Sequence, residues 1–259
     1  TSHFPYVLPS GNTGPYQPSD VNSRTRFLGR DNEPSIALRN AYFNALRYVD
    51  DQIGRVVRYL DKAGLRDRTI IAITGDHGEA FYEDGVLGHA CEPFESVIRT
   101  GLVVNCPTLV SPRQDPYLAQ SVDVVPTLVG LAGLPAHPAF QGTDLFRHDR
   151  PPATDRVVFV HCCTPAVQTD AIISGSGWKY RYDHLRQIGR LESLATDGFD
   201  IQENTRANDD IAERLHDCLM NWRADQLLYY SQSRYYQLFW PPRHRCELDG
   251  LPSIDELAN

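Results

Sequence analysis

The chain has 259 residues, of which 41% are hydrophobic and 22% charged, and its formal net charge is −8. These values are ordinary for a globular protein and suit one large α/β domain, or such a domain with a small appendage. The negative charge and the lack of a basic run argue against a nucleic-acid partner. No apolar stretch reaches the roughly 20 residues that span a bilayer.

The first residue is Thr1 and the only methionine is Met220. We therefore expect that a leader was removed or that a longer N-terminal region precedes this sequence. None of the six cysteines has C-x-x-C spacing, which argues against a zinc ribbon or a thioredoxin-like site. Their even number permits disulfides in an oxidising compartment, and free buried thiols fit the count equally well.

The first part of the chain predicts a loop, a helix and a buried strand. Residues 1–34 are rich in Pro, Gly, Ser and Asn, which is typical of an ordered loop. Apolar residues at helical spacing predict a long helix over 35–63, ended by Gly64. A continuous β-branched run over 69–74 predicts a strand buried on both faces, as in a parallel sheet, and 98–104 predicts another. This order indicates an α/β architecture.

The second part predicts a different arrangement. A helix is predicted over 122–132, with Pro126 in its first turns. A closing helix is predicted over 207 to about 228, followed by an aromatic tail over 227–240. Short strands that together suggest a small antiparallel sheet are predicted over 156–160, 171–174 and 178–182.

Asp76 and His77 follow the buried strand directly, between Gly75 and Gly78. Ligands of open α/β sheets bind beyond the carboxyl ends of the strands, where these two side chains are expected to lie. One oxygen and one nitrogen ligand favour Zn²⁺ or Mn²⁺ over Ca²⁺. On spacing alone, a polar turn with Asp76 capping the next helix is an equally good interpretation.

Two further histidines are candidates for the same site. His89 lies thirteen residues after Asp76, at the end of a glycine-bounded loop that could fold back over the strand end. There it could meet a substrate oxyanion or a second metal. His3 precedes Phe4-Pro5. Taken singly, His89 is also typical of an ordinary loop histidine and His3 of a surface histidine.

Together, these motifs resemble the sulfatase family of the alkaline phosphatase superfamily, which includes arylsulfatases, phosphonate monoester hydrolases, and phosphoethanolamine and phosphoglycerol transferases. The resemblance covers roughly residues 1–230. The matching segments, in order, lie at residues 1–6, 74–79, 88–89, 95–99, 121–128, 131–134, 141–145, 178–180 and 194–197.

The resemblance implies a set of roles. It implies that Asp76 and His77 ligate a divalent metal. It implies that His3 and His89 bind the sulfate or phosphate group and stabilise its oxyanion, with one of them able to protonate the leaving group. In two-metal relatives, one of these histidines ligates a metal instead. Glu79 is expected to be a structural neighbour.

The sequence departs from the family in one important respect. The family places a nucleophile, with acidic metal ligands before it, in the N-terminal half, and nothing here corresponds. Cys91 and Cys163 fall after the Asp-His-Gly turn and lack the family's context. Since two protein ligands leave a divalent ion under-coordinated, we interpret residues 1–150 as the C-terminal part of the α/β catalytic domain. Residues 151–259 would form a small α+β subdomain with the aromatic tail.

The expected fold is therefore an alkaline-phosphatase-like sheet flanked by helices, with a small C-terminal antiparallel sheet and closing helix. The expected activity of the intact protein is metal-dependent hydrolysis of a sulfate or phosphate ester. Two alternatives stay open: a phosphoethanolamine or phosphoglycerol transferase of the cell envelope, and a catalytically inactive lipid-binding or regulatory domain.

The expected partners follow from this reading. The substrate would be a small-molecule, glycan or lipid ester of sulfate or phosphate. Self-pairing into a homo-oligomer would cover an exposed sheet edge, and the transferase alternative implies a membrane tether upstream of residue 1. A periplasmic or membrane-associated location is favoured over a cytoplasmic one.

Overall fold

The computed structural model describes residues 3, 6–19, 33–83, 85–89, 92–194, 201–203, 209–233, 246, 248 and 250–257. The chain divides into two compact units, the first made of Thr1–His89 and Arg99–Ser111 and the second of Ala90–Ile98 and Pro112–Asn259. Cys91, residues 195–197 and most of the aromatic tail lie outside the described residues. The division at residue 150 stays a prediction about the family's domain organisation.

Helix α1 of the first unit runs over Glu33–Lys62, which confirms the long helix predicted from the sequence. It ends before Gly64, whose φ of 64° is the left-handed conformation that closes many helices. Its buried residues between 35 and 62 all lie in the first half of the helix: Ser35, Ala37, Leu38, Ala41, Asn44 and Ala45.

Strand β1 (Ile71–Thr74) confirms the predicted extended segment. Two short strands, β2 (Ala80–Phe81) and β3 (Leu87–Gly88), follow as a hairpin. β1 pairs antiparallel with β4 (Leu102–Asn105), so the expected parallel pairing is wrong for this pair. Ile71–Ile73 are also half-buried rather than buried. A β-branched run specifies an extended backbone, but the direction of its neighbour depends on how the chain returns.

The strand predicted over 98–104 begins later than expected. Helix α2 (Glu95–Ile98) takes up its first residue, and β4 starts only at Leu102. Arg99, Thr100 and Gly101 separate the two elements. Apolar residues lie on both sides of this link, so the sequence pattern does not distinguish it from one continuous strand.

The second unit contains a five-stranded antiparallel sheet whose strands follow one another in chain order. Three of its strands confirm the predicted small sheet, and the last two were not predicted. Polar residues such as Arg190 and Glu192 interrupt the apolar pattern of the fourth strand. The strands are β5 (Val157–Cys163), β6 (Gln168–Ser174), β7 (Trp178–Asp183), β8 (Ile188–Leu194) and β9 (Ile201–Glu203).

The two faces of this sheet differ because side chains alternate along each strand. One face packs its apolar residues against helix α4 (Asp209–Ser231), the predicted closing helix. The opposite face carries buried charges, among them Lys179, Arg181 and Glu192. The apolar core residues are Ile172, Trp178, Tyr180, Leu191, Ile211, Leu215 and Leu219.

Cys218 on α4 is joined to Cys246 by a disulfide. For this pair the disulfide interpretation of the cysteines is therefore correct, whereas Cys106 and Cys163 are free thiols. A short helix, α5 (Ile254–Leu257), follows near the end of the chain. Trp178 Nε1 donates to the carbonyl of Pro252 at 2.8 Å, which ties this end to β7.

Helix α3 (Val124–Leu131) confirms the predicted helix, with Pro126 in its first turn. The buried carboxylate of Asp123 precedes it and accepts hydrogen bonds from the backbone N–H of Thr143, at 2.7 Å, and from Arg156, at 2.5 Å. The matching segments at 121–128 and 141–145 are therefore joined to each other. Among the described residues, no helix has the length and apolar character needed to cross a bilayer.

Candidate active site

The candidate site lies within the first unit, at the end of β1. The chain turns at Gly75, and Asp76 and His77 are both exposed in the turn that leads to β2. The backbone N–H of His77 donates to Asp76 Oδ1 at 3.0 Å. This hydrogen bond, followed by the charge of the His77 ring, lowers the pKa of the Asp76 carboxyl below its usual value. Asp76 is thus ionised, as a metal ligand must be.

The orientation of the His77 ring is set by its own turn. Nδ1 lies 2.8 Å from the carbonyl oxygen of Gly78. A carbonyl only accepts hydrogen bonds, so Nδ1 carries a proton and Nε2 is the ring nitrogen left for a metal ion. Nε2 lies 3.9 Å from Asp76 Oδ2. The two ligand atoms of the predicted metal pair therefore point to the same region.

The β2–β3 hairpin places His89 beside this pair. Ala80 lies opposite Gly88 in the hairpin, so the residues that flank them, Glu79 and His89, are brought together. His89 Nδ1 lies 3.0 Å from Glu79 Oε1. The ring of His89 stacks on that of His77, with centroids 4.0 Å apart and an angle of 25° between the planes.

Glu79 holds this arrangement together, a role that residue-by-residue inspection of the sequence did not reveal. Its side chain is only 4% exposed. Oε1 accepts from His89, and Oε2 accepts a hydrogen bond from the Tyr6 hydroxyl at 2.7 Å. Because Nδ1 of His89 donates to a carboxylate, Nε2 is the ring nitrogen left to face a ligand. The expectation that Glu79 is a structural neighbour agrees with this geometry.

Tyr6 also explains how His3 reaches the site. Its ring is buried in the apolar cluster with Leu38 and Phe81, and its backbone N–H donates to the carbonyl of His3 at 2.9 Å. The His3 ring, which is exposed, meets the His89 ring edge-on with centroids 5.1 Å apart. The position of Tyr6 in the matching segment at 1–6 was the available sequence signal for its role.

The structure thus brings all four predicted residues together, and their donor set can be tested against a metal. Ligand atoms that each lie about 2.1 Å from a tetrahedral ion are about 3.4 Å apart. The 3.9 Å between His77 Nε2 and Asp76 Oδ2 needs only a small side-chain rotation to reach that spacing. Within the described part of the chain, however, no three or more His, Cys, Asp or Glu side chains are grouped to hold an ion. Asp76 and His77 fit part of a metal site.

Comparison with known proteins identifies the family. The family model described as Sulfatase matches residues 1–134, more than half of the chain. The chain belongs to the sulfatase family. The motif order that suggested the family is therefore confirmed, and the matched region contains His3, Asp76, His77 and His89.

Two curated relatives show the range of this sulfatase family. Iduronate 2-sulfatase of Mus musculus is 32% identical over 126 residues, which are 39% of this chain and 23% of that protein. Lipoteichoic acid synthase of Staphylococcus aureus (strain USA300) is 32% identical over 154 residues, which are 56% of this chain and 22% of that protein. The chain spans less than a quarter of the length of either relative.

Solved structures confirm the fold. The phosphonate monoester hydrolase of Silicibacter pomeroyi superposes with a TM-score of 0.61 at 21% identity, over 75% of this chain and 43% of that chain. The mixed α/β architecture with a C-terminal antiparallel sheet and closing helix is therefore that of the sulfatase fold, as expected from the sequence.

Proposed function

We propose that the intact protein hydrolyses a sulfate or phosphate ester with the help of a divalent metal. The observation that carries this proposal is the convergence of His77 and His89. Their rings stack at 4.0 Å, and each Nδ1 is held by an acceptor from its own neighbourhood. In each ring Nε2 is thereby the nitrogen left for a ligand: its lone pair can bind a metal ion, and in a protonated ring its N–H can donate to an oxyanion. Family membership, and relatives named for sulfatase activity, support the same conclusion.

Each residue has a distinct part in this proposal. Asp76 and His77 would hold the ion, which would polarise the ester group as a Lewis acid. His3 and His89 would contact the nonbridging oxygens and stabilise the charge that develops on them. A protonated His3 or His89 could also transfer a proton to the leaving oxygen. Glu79 would keep His89 in position, with its Nδ1 protonated.

The donor types favour Zn²⁺ or Mn²⁺ over Ca²⁺, because calcium prefers sites made entirely of oxygen. A calorimetric titration of the full-length protein with Mn²⁺ and Zn²⁺ tests this assignment. We expect Asp76→Ala and His77→Ala each to weaken binding sharply. His148→Ala is the matched control, because His148 is an exposed histidine of the second unit. Unchanged affinity in the two site variants would refute the metal assignment.

A second candidate function is transfer of a phosphoethanolamine or phosphoglycerol group. The observation that favours it is the match to lipoteichoic acid synthase, which is 32% identical to this chain over 154 residues. The same residues would serve both reactions, because both proceed at a tetrahedral sulfur or phosphorus centre. The acceptor, water or a hydroxyl of a glycan or lipid, would distinguish them.

Assays of full-length protein separate these candidates. Turnover of a chromogenic sulfate or phosphate ester with release of the free acid supports hydrolysis. Label transfer from phosphatidylglycerol vesicles to a glycan or lipid acceptor supports the transferase. Failure of both reactions with metal-loaded protein would favour the third alternative, an inactive lipid-binding or regulatory domain.

We also propose an extracytoplasmic location, periplasmic or membrane-associated, and a substrate that is a small-molecule, glycan or lipid ester. The Cys218–Cys246 disulfide supports this location, because disulfides persist mainly in oxidising compartments. The name of the mouse relative refers to a sulfated sugar acid, which supports a glycan ester as substrate.

A further inference from the structure

One buried residue, Tyr6, contacts both of the segments that carry His3 and His89. Its backbone N–H donates to the carbonyl of His3 at 2.9 Å. Its hydroxyl donates to Oε2 of Glu79 at 2.7 Å, and Oε1 of the same carboxylate lies 3.0 Å from Nδ1 of His89. Tyr6 therefore reaches one histidine through its main chain and the other through its side chain.

The backbone of Tyr6 adopts a conformation that tyrosine rarely takes. Its φ of 56° lies in the left-handed region, where the Cβ of any residue other than glycine is crowded. Such a conformation persists only where the surrounding structure holds it. Here the ring holds it, because Tyr6 is buried against the rings of Tyr42 and Phe81, with centroids 5.4 Å and 6.1 Å away.

The two histidines that Tyr6 links are in contact with each other. The ring of His3 meets the ring of His89 edge-on, with centroids 5.1 Å apart. His3 precedes Tyr6 by three residues, and φ is one of only two soft dihedrals that each residue offers. A change of φ at Tyr6 would therefore move the His3 segment relative to His89, which Glu79 holds independently.

We propose that Tyr6 is a positioning residue that sets the spacing between His3 and His89. Its main chain, fixed by the buried ring, holds His3. Its hydroxyl holds Glu79 and through it His89. Groups that stabilise a developing oxyanion must be in place before the reaction, because a misplacement of about 1 Å can cost ~10²-fold in rate. The catalytic consequence rests on the proposed function, whereas the spacing itself does not.

Magnetic resonance tests the spacing without any substrate. Full-length protein is labelled at histidine in a deuterated background, and the ring protons of His3 and His89 should show a nuclear Overhauser effect. Tyr6→Phe keeps the ring but removes the hydroxyl, so this effect should weaken and the ring signals of His89 should shift. Tyr6→Ala removes both links and should abolish the effect. Absence of the effect in the wild type, or equal intensity in Tyr6→Phe, would overturn the proposal.

Kinetics of the full-length protein test the consequence for the reaction. Tyr6→Phe should lower kcat by about tenfold with little change in KM, because the histidines act in the transition state. In the His89→Ala background the same substitution should change kcat by less than about twofold, because the hydroxyl acts through His89. A merely structural hydroxyl would lower kcat by the same factor in both backgrounds, which would contradict the proposed role.

Tyr42→Phe is the matched control. Burial, followed by the charge of Glu79, raises the pKa of Tyr42, so this hydroxyl lies near the same carboxylate. Among the described residues, however, only the Tyr6 hydroxyl of the two donates to Glu79. Tyr42→Phe should therefore keep the Overhauser effect and kcat of the wild type. If it reproduces the effects of Tyr6→Phe, loss of a hydroxyl from the cluster is the cause and the proposal is wrong.

These outcomes separate the role of Tyr6 from the proposed function. If the metal-loaded full-length protein hydrolyses no ester, the proposed function fails, and the Overhauser effect alone decides whether Tyr6 sets the spacing. If the protein hydrolyses an ester and Tyr6→Phe equals the wild type in both measurements, only the role of Tyr6 is refuted.

Discussion

Lys179 of β7 and Glu95 of α2 form a buried ion pair, with Nζ 2.7 Å from Oε1. Nζ also donates to the carbonyl of Pro93 at 2.6 Å. The pair joins two segments that match the family separately, at 95–99 and at 178–180. It therefore fixes how the segment containing α2 packs on the charged face of the sheet.

Breaking this pair should destabilise the protein strongly. Glu95→Ala leaves the Lys179 ammonium buried without its counter-charge, which typically costs about 3–5 kcal/mol. Urea unfolding followed by circular dichroism measures the loss. The double variant Lys179→Met with Glu95→Leu removes both charges and should recover much of the stability. If the double variant is as unstable as Glu95→Ala, the buried charge is not the cause.

Glu79 should control the protonation of His89 as well as its position. We expect Glu79→Ala to shift the neutral His89 ring from the Nδ1-protonated toward the Nε2-protonated form, because Nδ1 loses its acceptor. The ¹⁵N chemical shifts of the ring report this change directly. Hydrolysis by the full-length protein should fall by about 10²-fold, the effect of a misplacement of ~1 Å.

Tyr6→Phe is the matched control for Glu79, because it removes the other hydrogen bond of the same carboxylate. The His89 tautomer should stay as in the wild type. If Glu79→Ala also leaves the tautomer unchanged, another group holds Nδ1.

The disulfide should contribute substantially to the stability of the second unit. Cys218 and Cys246 are 28 residues apart, and closing a loop of that length stabilises by about 3–4 kcal/mol through the unfolded state. Cys218→Ser should lower the free energy of unfolding by that order, measured under oxidising conditions. Cys163→Ser, at an exposed free thiol, should change it by no more than about 0.5 kcal/mol. Equal effects of the two substitutions would contradict this role.

The ionisation of Tyr180 makes the stability of the protein depend on pH, and the direction of this dependence follows from the pKa of Tyr180. Burial, and to a lesser extent the charge of Tyr182, raise the pKa of Tyr180 to about 12. In the unfolded chain a tyrosine titrates near pH 10, so unfolding releases a proton between these values. Stability should therefore fall as the pH rises from about 10 to about 12.

Two measurements check this dependence. Burial also raises the pKa of Tyr42 and of Tyr117, so absorbance titration of the phenolates should show several tyrosines that ionise late. Tyr180→Phe should remove the step near pH 12 and flatten the decline in stability. Tyr59→Phe, at an exposed position on α1, should leave the late step in place. An unchanged step near pH 12 in Tyr180→Phe would assign that step to another tyrosine.

The sequence located the candidate site because its signals are local. Asp76 and His77 lie in a glycine-flanked turn after a β-branched run. The short β2–β3 hairpin brings His89 back to this turn. Such features depend on neighbours along the chain. The order of the motifs along the chain then indicated the family, whereas composition and periodicity alone did not.

Contacts between residues that are distant along the chain could not be predicted from the sequence, for a physical reason. Asp170 is completely buried and contacts His161 at 2.5 Å, His184 at 2.7 Å and Arg223 at 2.5 Å. These partners come from β5, from the turn after β7 and from α4. The antiparallel partner of β1 likewise comes from residues 102–105. Nothing in a single sequence indicates which distant residues will meet in this way.

One consequence of α1 concerns hydrogen exchange. From Leu46 to Lys62 no residue of the helix is buried, and Val56 and Tyr59 are 59% and 66% exposed. Amides in this half can exchange through local unwinding of the helix, whereas those near Leu38 exchange through opening of the whole unit. Exchange should therefore quicken toward Lys62 within one continuous helix. Any surface that covers Val56 and Tyr59 would slow exchange there, so this gradient reports whether the C-terminal half of α1 is covered.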